Sequence, residues 1–374
     1  MKTFKAGRYV QQGHYKSFQP NSINRSWVLD NMELIQLLGQ ADRELGRLDM
    51  YSDYIPNVDL FIRMHVLKEA TQSSRIEGTQ TNMEEALLAK EDVALDKRDD
   101  WEEVQNYVAA MNEAMAALKT LPFSGRLIRM THKTLLRGVR GKHKQPGEFR
   151  LGQNWIGGAT ISDAVFVPPV HTTIAALVGD IEQFVNNDSQ YFPDLLKIAL
   201  VHYQFETIHP FLDGNGRVGR LLITLYLVNR GILKQPVLYL SDFFERNRQH
   251  YYDNLMRVRE KDDLLKWCKF FLVGVVETAK SSIATFDNIL KLQKKVDNQI
   301  HTLGSRTANA QKILHYLYQH PMIDAAKVGG EAKISPASAY KLIADLERMG
   351  ILKEITGSKR GKMYVFAAYL KLFK

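Results

Sequence analysis

One cysteine in 374 residues, Cys268, leaves the chain without an internal disulfide framework, and a reducing compartment is the expectation. No apolar run reaches the ~18 residues of a membrane span, and no hydrophobic stretch of a secretion signal follows Met1-Lys2-Thr3-Phe4. A cytoplasmic protein with no membrane partner is therefore expected. The zinc-protease order His-Glu-x-x-His is also missing. His202, Glu206 and His209 come nearest to it, but their spacing is wrong, so His202 is expected to be a hydrogen-bonded histidine on a helix packing face. The length leaves room for a large core and more than one domain.

What the chain does have is concentrated between positions 209 and 220, His-Pro-Phe-Leu-Asp-Gly-Asn-Gly-Arg-Val-Gly-Arg. Gly214 and Gly216 leave the backbone bare, so its N–H groups can approach an anion, and Asn215 between them tolerates a turn while offering an amide donor. Arg217 and Arg220, three apart, open an apolar helical run from Leu221 to Val228. Their guanidinium groups share one face beside the positive end of that helix, an arrangement that favours phosphate. Asp213 supplies the hard oxygen that magnesium takes. His209 is the one side chain of the twelve whose ordinary pKa suits a general base near neutrality, and the arginines and helix start help to keep it neutral. Gly214-x-Gly216-x-x-Gly219, with Asp242 after the short apolar stretch Val237 to Leu240, also matches a dinucleotide fingerprint. That fold needs an apolar strand just before the first glycine, whereas Leu195 to Phe205 has a helical pattern.

The twelve residues resemble the signature of the Fic family, His-x-Phe-x-(Asp or Glu)-Gly-Asn-Gly-Arg-x-x-Arg, at every fixed position. The resemblance implies transfer of AMP from Mg-ATP to a Tyr, Thr or Ser hydroxyl of a target protein and of the chain itself. It implies His209 as the base that deprotonates the hydroxyl and Asp213 as the magnesium ligand. The 214–216 backbone and Asn215 would cradle the α- and β-phosphates, with Arg217 on the β- and Arg220 on the γ-phosphate. Positioning and charge neutralisation would carry in-line attack at the α-phosphorus. Two alternatives stay open: removal of AMP at the same site, with Glu77 activating water, and a winged-helix transcription regulator whose Fic site senses nucleotide. The intact His209 argues against the second, since sensing needs no base.

Ser73-Ser74-Arg75-Ile76-Glu77-Gly78 ends a helical stretch that starts near Leu60 and stops at Gly78. By spacing alone, Glu77 is a solvated carboxylate at a helix end. Beside the signature, it resembles the family's inhibitory pattern, (Ser or Thr)-x-x-x-Glu-(Gly or Asn), with Ser73 and Glu77 in the fixed places. The resemblance implies that Glu77 pairs with Arg220 and competes with the γ-phosphate. Residues 146–169 are rich in glycine and β-branched residues and read as a hairpin turning near Ser162-Asp163. This segment resembles the family's flap, whose edge holds the target segment. Tyr251 and Tyr252 begin a helix running to Glu260, and Tyr252 is a candidate wall of the adenine pocket.

The expected fold is mainly α, a Fic-type helical core with a small β-hairpin flap followed by a winged helix-turn-helix. Its segments are an N-terminal extension with the inhibitory helix (1–100), the core and a helical spacer (101–304), and the winged module (305–374). Helical pattern runs from Trp27 to Leu48, then almost throughout from Trp101 to His301, with breaks near Pro122, Pro193, Pro236 and Asp262. In the last segment Ser335-Pro336 start a third helix that buries Ala339, Leu342, Ile343, Leu346 and Met349 and leaves Ser338, Lys341, Asp345 and Arg348 outside. Two strands, 351–356 and 362–366, flank a basic wing holding Lys359, Arg360 and Lys362. Residues 305–374 carry 12 Lys and Arg against 5 Asp and Glu, most of the net +9 of the chain. That charge fits duplex DNA as a partner, and protein docking or homodimerisation is the alternative use of such a module.

Overall fold

The computed structural model describes residues 4–54, 58–138, 143–189, 191–357 and 361–373. A hairpin opens it, β1 (Gly7–Gln12) antiparallel to β2 (Tyr15–Pro20), with Tyr9 opposite Phe18. The helices that follow are α1 (Met32–Tyr54), α2 (Asp59–Ile76), α3 (Met83–Ala86), α4 (Arg98–Ala117), α5 (Gly125–Leu135), α6 (Ile174–Asn186), α7 (Asp194–Ile208), α8 (Asn215–Asn229), α9 (Ser241–Arg246), α10 (Arg248–Lys261) and α11 (Leu264–Ile300). The chain ends in α12 (Thr307–Gln319), β3 (Met322–Asp324), α13 (Ala325–Ala332), α14 (Pro336–Arg348), β4 (Lys353–Glu354), β5 (Met363–Val365) and α15 (Ala367–Leu370).

The centre is set by α7 and α8. Leu195 to Ile208 are all buried, as are eleven consecutive residues of α8 from Arg217 to Leu227. Helices this apolar on every side must lie inside a protein or a membrane, and no described helix is long and apolar enough to cross a membrane. They pack on each other, and the turn between them, 209–214, is thereby anchored at both ends by buried helices while Leu212 and Asp213 reach solvent. Sequence breaks become helix ends as expected: Pro193 precedes α7 and Asp262 takes the left-handed conformation that stops α10.

The N-terminal hairpin escapes the sequence reading because both its strands mix Gln, Tyr and a basic residue with few apolar residues. It is pinned by Phe18, which is buried against Phe166 with its N–H bonded to Val167 O at 2.9 Å. The flap is narrower than a full hairpin, with one antiparallel bridge pairing Ile156 and Phe166. Near the expected turn, Asp163 accepts the N–H groups of Ala159 and Thr160 and closes a short 3-10 turn, Ile161–Asp163.

Helix α11 is not a spacer. Over 37 residues, roughly 55 Å, it buries Trp267, Phe271, Val275, Phe286 and Ile289 and packs along α1. The C-terminal unit likewise packs directly on the N-terminal extension. Phe61 on α2 meets Tyr318 of α12 edge-on at 5.3 Å, and His65 stacks on Phe286 at 4.6 Å with Phe373 edge-on at 5.0 Å.

That unit has the order of a winged helix: three helices and a three-stranded antiparallel sheet, β3-β5-β4. Ser335 caps α14 with Pro336 in its first turn. The short strand β3 is an addition to the sequence reading. Asp345 is a correction: it is buried, because its carboxylate pairs with Arg306 and with Arg348 at 3.2 Å. Lys359 and Arg360 of the expected wing lie outside the described residues, while Lys362 is half-exposed and pairs with Glu354 at 3.7 Å.

Candidate functional site

The turn between α7 and α8 is rigid by construction. His209 ends α7 in the left-handed conformation (φ 48°, ψ 61°), uncommon for a residue with a Cβ and tolerated where surrounding bonds impose it. Those bonds come mainly from Arg150, a buried side chain whose guanidinium donates to the carbonyls of His209 (3.0 Å) and Gly152 (2.9 Å) and whose own N–H reaches Pro210 O (2.9 Å). From the other side His132 lies flat on Phe211, ring centres 3.7 Å apart. Its Nδ1 accepts the Gly147 N–H (2.8 Å), which leaves Nε2 to donate to Asp213 O (3.0 Å). Sequence reasoning missed both clamps, because neither residue sits in a motif.

Asn215 is spent inside the turn. Its Oδ1 accepts from Phe211 N and its Nδ2 donates to Phe211 O, both at 2.9 Å. The side-chain amide expected to meet a ligand therefore shapes the loop instead, and the backbone N–H groups of α8's first turn remain as donors. Gly214 supplies the left-handed φ of 74° that the chain needs to enter α8.

Around this turn the structure brings together all the sequence-predicted groups. His209 is partly buried, and its Nδ1, itself shut off from solvent, has no hydrogen-bond partner. Burial, with Arg259 and Arg150 nearby, lowers its pKa to about 4, so the imidazole is neutral at physiological pH. Asp213 is half-exposed and accepts from Gly214 N (2.6 Å) and, longer, from Arg217 (3.5 Å), both on Oδ1. Arg217 is turned toward this carboxylate and held by Glu103 of α4 at 3.0 Å, a partner the sequence did not reveal.

Arg220, 1% exposed at its side chain, takes three bonds from the end of α2: Nε to Ser73 Oγ (2.9 Å), NH2 to Ser73 O (2.9 Å) and NH2 to Glu77 Oε1 (2.7 Å). Glu77 is 36% exposed and follows the last residue of α2. Burial pushes its carboxyl up, but Arg220, joined by Arg217 and His209, holds it below the ordinary range. Its oxygen fills the space where a Cβ on Gly216 would sit, so Gly216 is needed for the close approach of the carboxylate.

A cavity of about 490 Å³ opens from this cluster, lined by Glu77, His209 and Arg220 together with Tyr252, Leu255 and Met256 of α10. Tyr251 and Tyr252 divide the two roles considered for them. Both line the cavity, but Tyr251 is buried core, with His202 Nε2 bonded to its hydroxyl at 2.9 Å, whereas Tyr252 is 38% exposed. His202 is a packing histidine whose Nδ1 meets Gly219 O at 2.9 Å, and among the described residues no three His, Cys, Asp or Glu side chains are grouped to hold a metal.

A bare-backbone helix start, a neutral imidazole with an unpartnered Nδ1 and the buried Arg220 at one cavity, with Arg217 one helical turn before it, form an arrangement that can handle an anion. Two sequence profiles match the chain, that of the Fic/DOC family N-terminal region over residues 35–116 and that of the Fic/DOC family over residues 122–227, half of the chain between them. The chain belongs to the Fic/DOC family. It is 30% identical over 175 residues to the protein adenylyltransferase Fic of Drosophila virilis, 46% of this chain and 32% of that protein. Over 201 residues it is 30% identical to a probable protein adenylyltransferase of Aquifex aeolicus, 48% of this chain and 60% of that one. The chain thus spans less than two thirds of the length of these relatives. A Fic family protein from Desulfovibrio desulfuricans G20 has a similar fold, with a TM-score of 0.58 at 18% identity over 91% of this chain and 98% of the other.

Proposed function

We propose that the protein transfers AMP from Mg-ATP to a hydroxyl side chain of a protein target, and that Glu77 throttles the reaction. The observation that carries this reading is the neutral His209, with its Nδ1 unpartnered, beside the bare start of α8, with Asp213 and both arginines within the eleven residues that follow. His209 would take the hydroxyl proton as the oxygen attacks the α-phosphorus and pyrophosphate leaves. The N–H groups opening α8, with Arg217, would hold the phosphates. Magnesium fits the carboxylate of Asp213, a half-exposed hard oxygen donor next to the cradle, and when bound it would neutralise phosphate charge. The flap edge around Ile156 would present the target's chain.

The throttle reading rests on the three bonds between the end of α2 and Arg220. Charges ~4 Å apart at an effective dielectric near 20 attract by about 4 kcal/mol before desolvation is subtracted. A net coupling of about 1–3 kcal/mol changes productive ATP binding by roughly 5- to 150-fold, which restrains the site without locking it. The test is incubation of the purified Glu77→Gly chain with labelled ATP and cell lysate, followed by mass spectrometry of labelled proteins. Protein-bound AMP on Tyr, Thr or Ser is expected, and its absence from lysate proteins and from the chain itself overturns the reading.

The basic winged module adds a second partner to this reading, duplex DNA, on the strength of its topology and charge.

A further inference from the structure

Glu206 is a buried acid with no place in the mechanism above. It lies in the last turn of α7, three residues before His209, is 7% exposed, and leaves Oε1 without a hydrogen-bond partner. It lines the same cavity as Glu77, His209, Arg220 and Tyr252. Its oxygen fills the space where a Cβ on Gly219 would sit, just as Glu77 fills the space at Gly216. Three residues apart on α8, these glycines make two notches on one helix face, and each holds a carboxyl group. Arg220 stands beside both. Glu77 bonds to it directly, while no ion pair joins Glu206 to it.

We propose that Glu206 contacts the terminal phosphate of the bound nucleotide as a neutral carboxylic acid, so that its proton is a condition of ATP binding at Arg220. The inference rests on the proposed nucleotide site and goes beyond Glu77. An oxygen without a partner, buried in a ligand cavity, calls for a donor or a proton of its own. If ionised, it would face the γ-phosphate as like charge meeting like charge and would compete for Arg220. As the acid, it donates an O–H to a phosphate oxygen and leaves the arginine's charge to the nucleotide. The charged and titratable groups facing it are Arg220 from α8, Glu77 from the end of α2, Arg259 and the hydroxyls of Tyr251 and Tyr252 from α10, and His209 after its own helix. Burial is the largest influence on Glu206 and raises its pKa to about 7. Arg220 and Arg259 pull it down, and Glu77 pushes it up. The group therefore changes charge within the physiological range, and an arriving phosphate favours its proton further.

The test measures Mg-ATP binding in the full chain carrying Glu77→Gly and His209→Ala, which frees Arg220, stops transfer and removes the imidazole as a proton acceptor. Between about pH 6 and pH 8.5 the dissociation constant is expected to rise roughly tenfold, the factor that one unit of pKa difference carries. Adding Glu206→Gln, which is neutral at every pH, is expected to flatten that rise and keep the tighter value. Calorimetry in two buffers of different ionisation enthalpy supplies a reading independent of the Gln variant's folding. ATP binding near pH 7.5 is expected to take up a proton in the first chain. Equal pH dependence with and without Glu206→Gln, or no proton uptake, overturns the proposal. Failure of the first chain to bind Mg-ATP at any pH would instead overturn the nucleotide site itself. A packing role for Glu206 would change the melting temperature and leave the pH dependence in place.

Discussion

The start of α8 and the end of α2 meet at Arg220, and they are held there by different kinds of bond. The turn leading into α8 is fixed from within: Asn215 closes it on Phe211, Arg150 and His132 clamp its carbonyls, and the flanking helices are buried. The backbone after α2 is tied as well, by Glu77 N to Ser74 O (3.0 Å), Thr79 Oγ1 to Glu103 (2.9 Å) and Gln80 N to Asp100 (2.8 Å), but the carboxylate of Glu77 is not part of that scaffold. Glu77 is a partly exposed cap residue whose attachment to the site is Arg220. A fixed part is suited to chemistry, which tolerates little misplacement, and a side chain such as Glu77, bonded to the site through Arg220, is suited to being displaced.

Breaking the fixed part should have the larger effect. His209→Ala is expected to lower AMP transfer by roughly 100- to 10,000-fold, the usual contribution of a positioned base, while ATP binding persists. Because His209 stays neutral down to about pH 4, the wild-type kcat/KM should show no base-limited fall between pH 8 and pH 5.5. Wild-type transfer by the Ala variant would refute the assignment.

Breaking the displaceable part should raise activity instead. Glu77→Gly is expected to increase self-modification and target modification roughly 5- to 150-fold, measured as incorporated label. Arg220→Ala should not reproduce the gain, because it removes the proposed phosphate anchor along with the Glu77 pair. An unchanged rate and ATP affinity in the Glu77→Gly chain would return Glu77 to the role of a helix-end carboxylate.

Away from both helix ends the effects shrink. Replacing Lys359, Arg360 and Lys362 by Ala in the full chain should flatten the salt dependence of duplex-DNA binding by up to about 3 units of logarithmic slope. A chain that binds no DNA at low salt assigns the module to protein docking. Tyr252→Ala should raise the KM for ATP by roughly 2- to 13-fold, the equivalent of about 0.5–1.5 kcal/mol of ring contact. A lowered melting temperature with an unchanged KM would make the ring part of the packing alone.

The same contrast explains what was legible in the sequence. The groups gathered at the turn sit within twelve positions, so their spacing was enough to anticipate a shared site. Helix α11 was readable end to end for a similar reason, since a long amphipathic period is a local property. Its role was misread, because nothing local says that α1 lies along it. Asp345 looked like a surface acid until Arg306, 39 residues earlier, came to meet it. Arg150, His132 and Glu103 act on residues between 59 and 114 positions away, and Glu206 acquires its meaning only from the notch at Gly219.

Helix α2 carries Phe61 and His65 in its first half and Ser73 in its last turn. The first two pack against residues that lie more than 220 positions later, and the last anchors the arginine of the site. One rod cannot melt in halves that report separately. The C-terminal unit and the end of α2 that bears Ser73 and Glu77 are therefore expected to unfold as a single cooperative block although they lie far apart in sequence. In calorimetry, Phe61→Ala should move that whole transition to lower temperature without splitting it, and two resolved transitions would show that the rod bends between its halves.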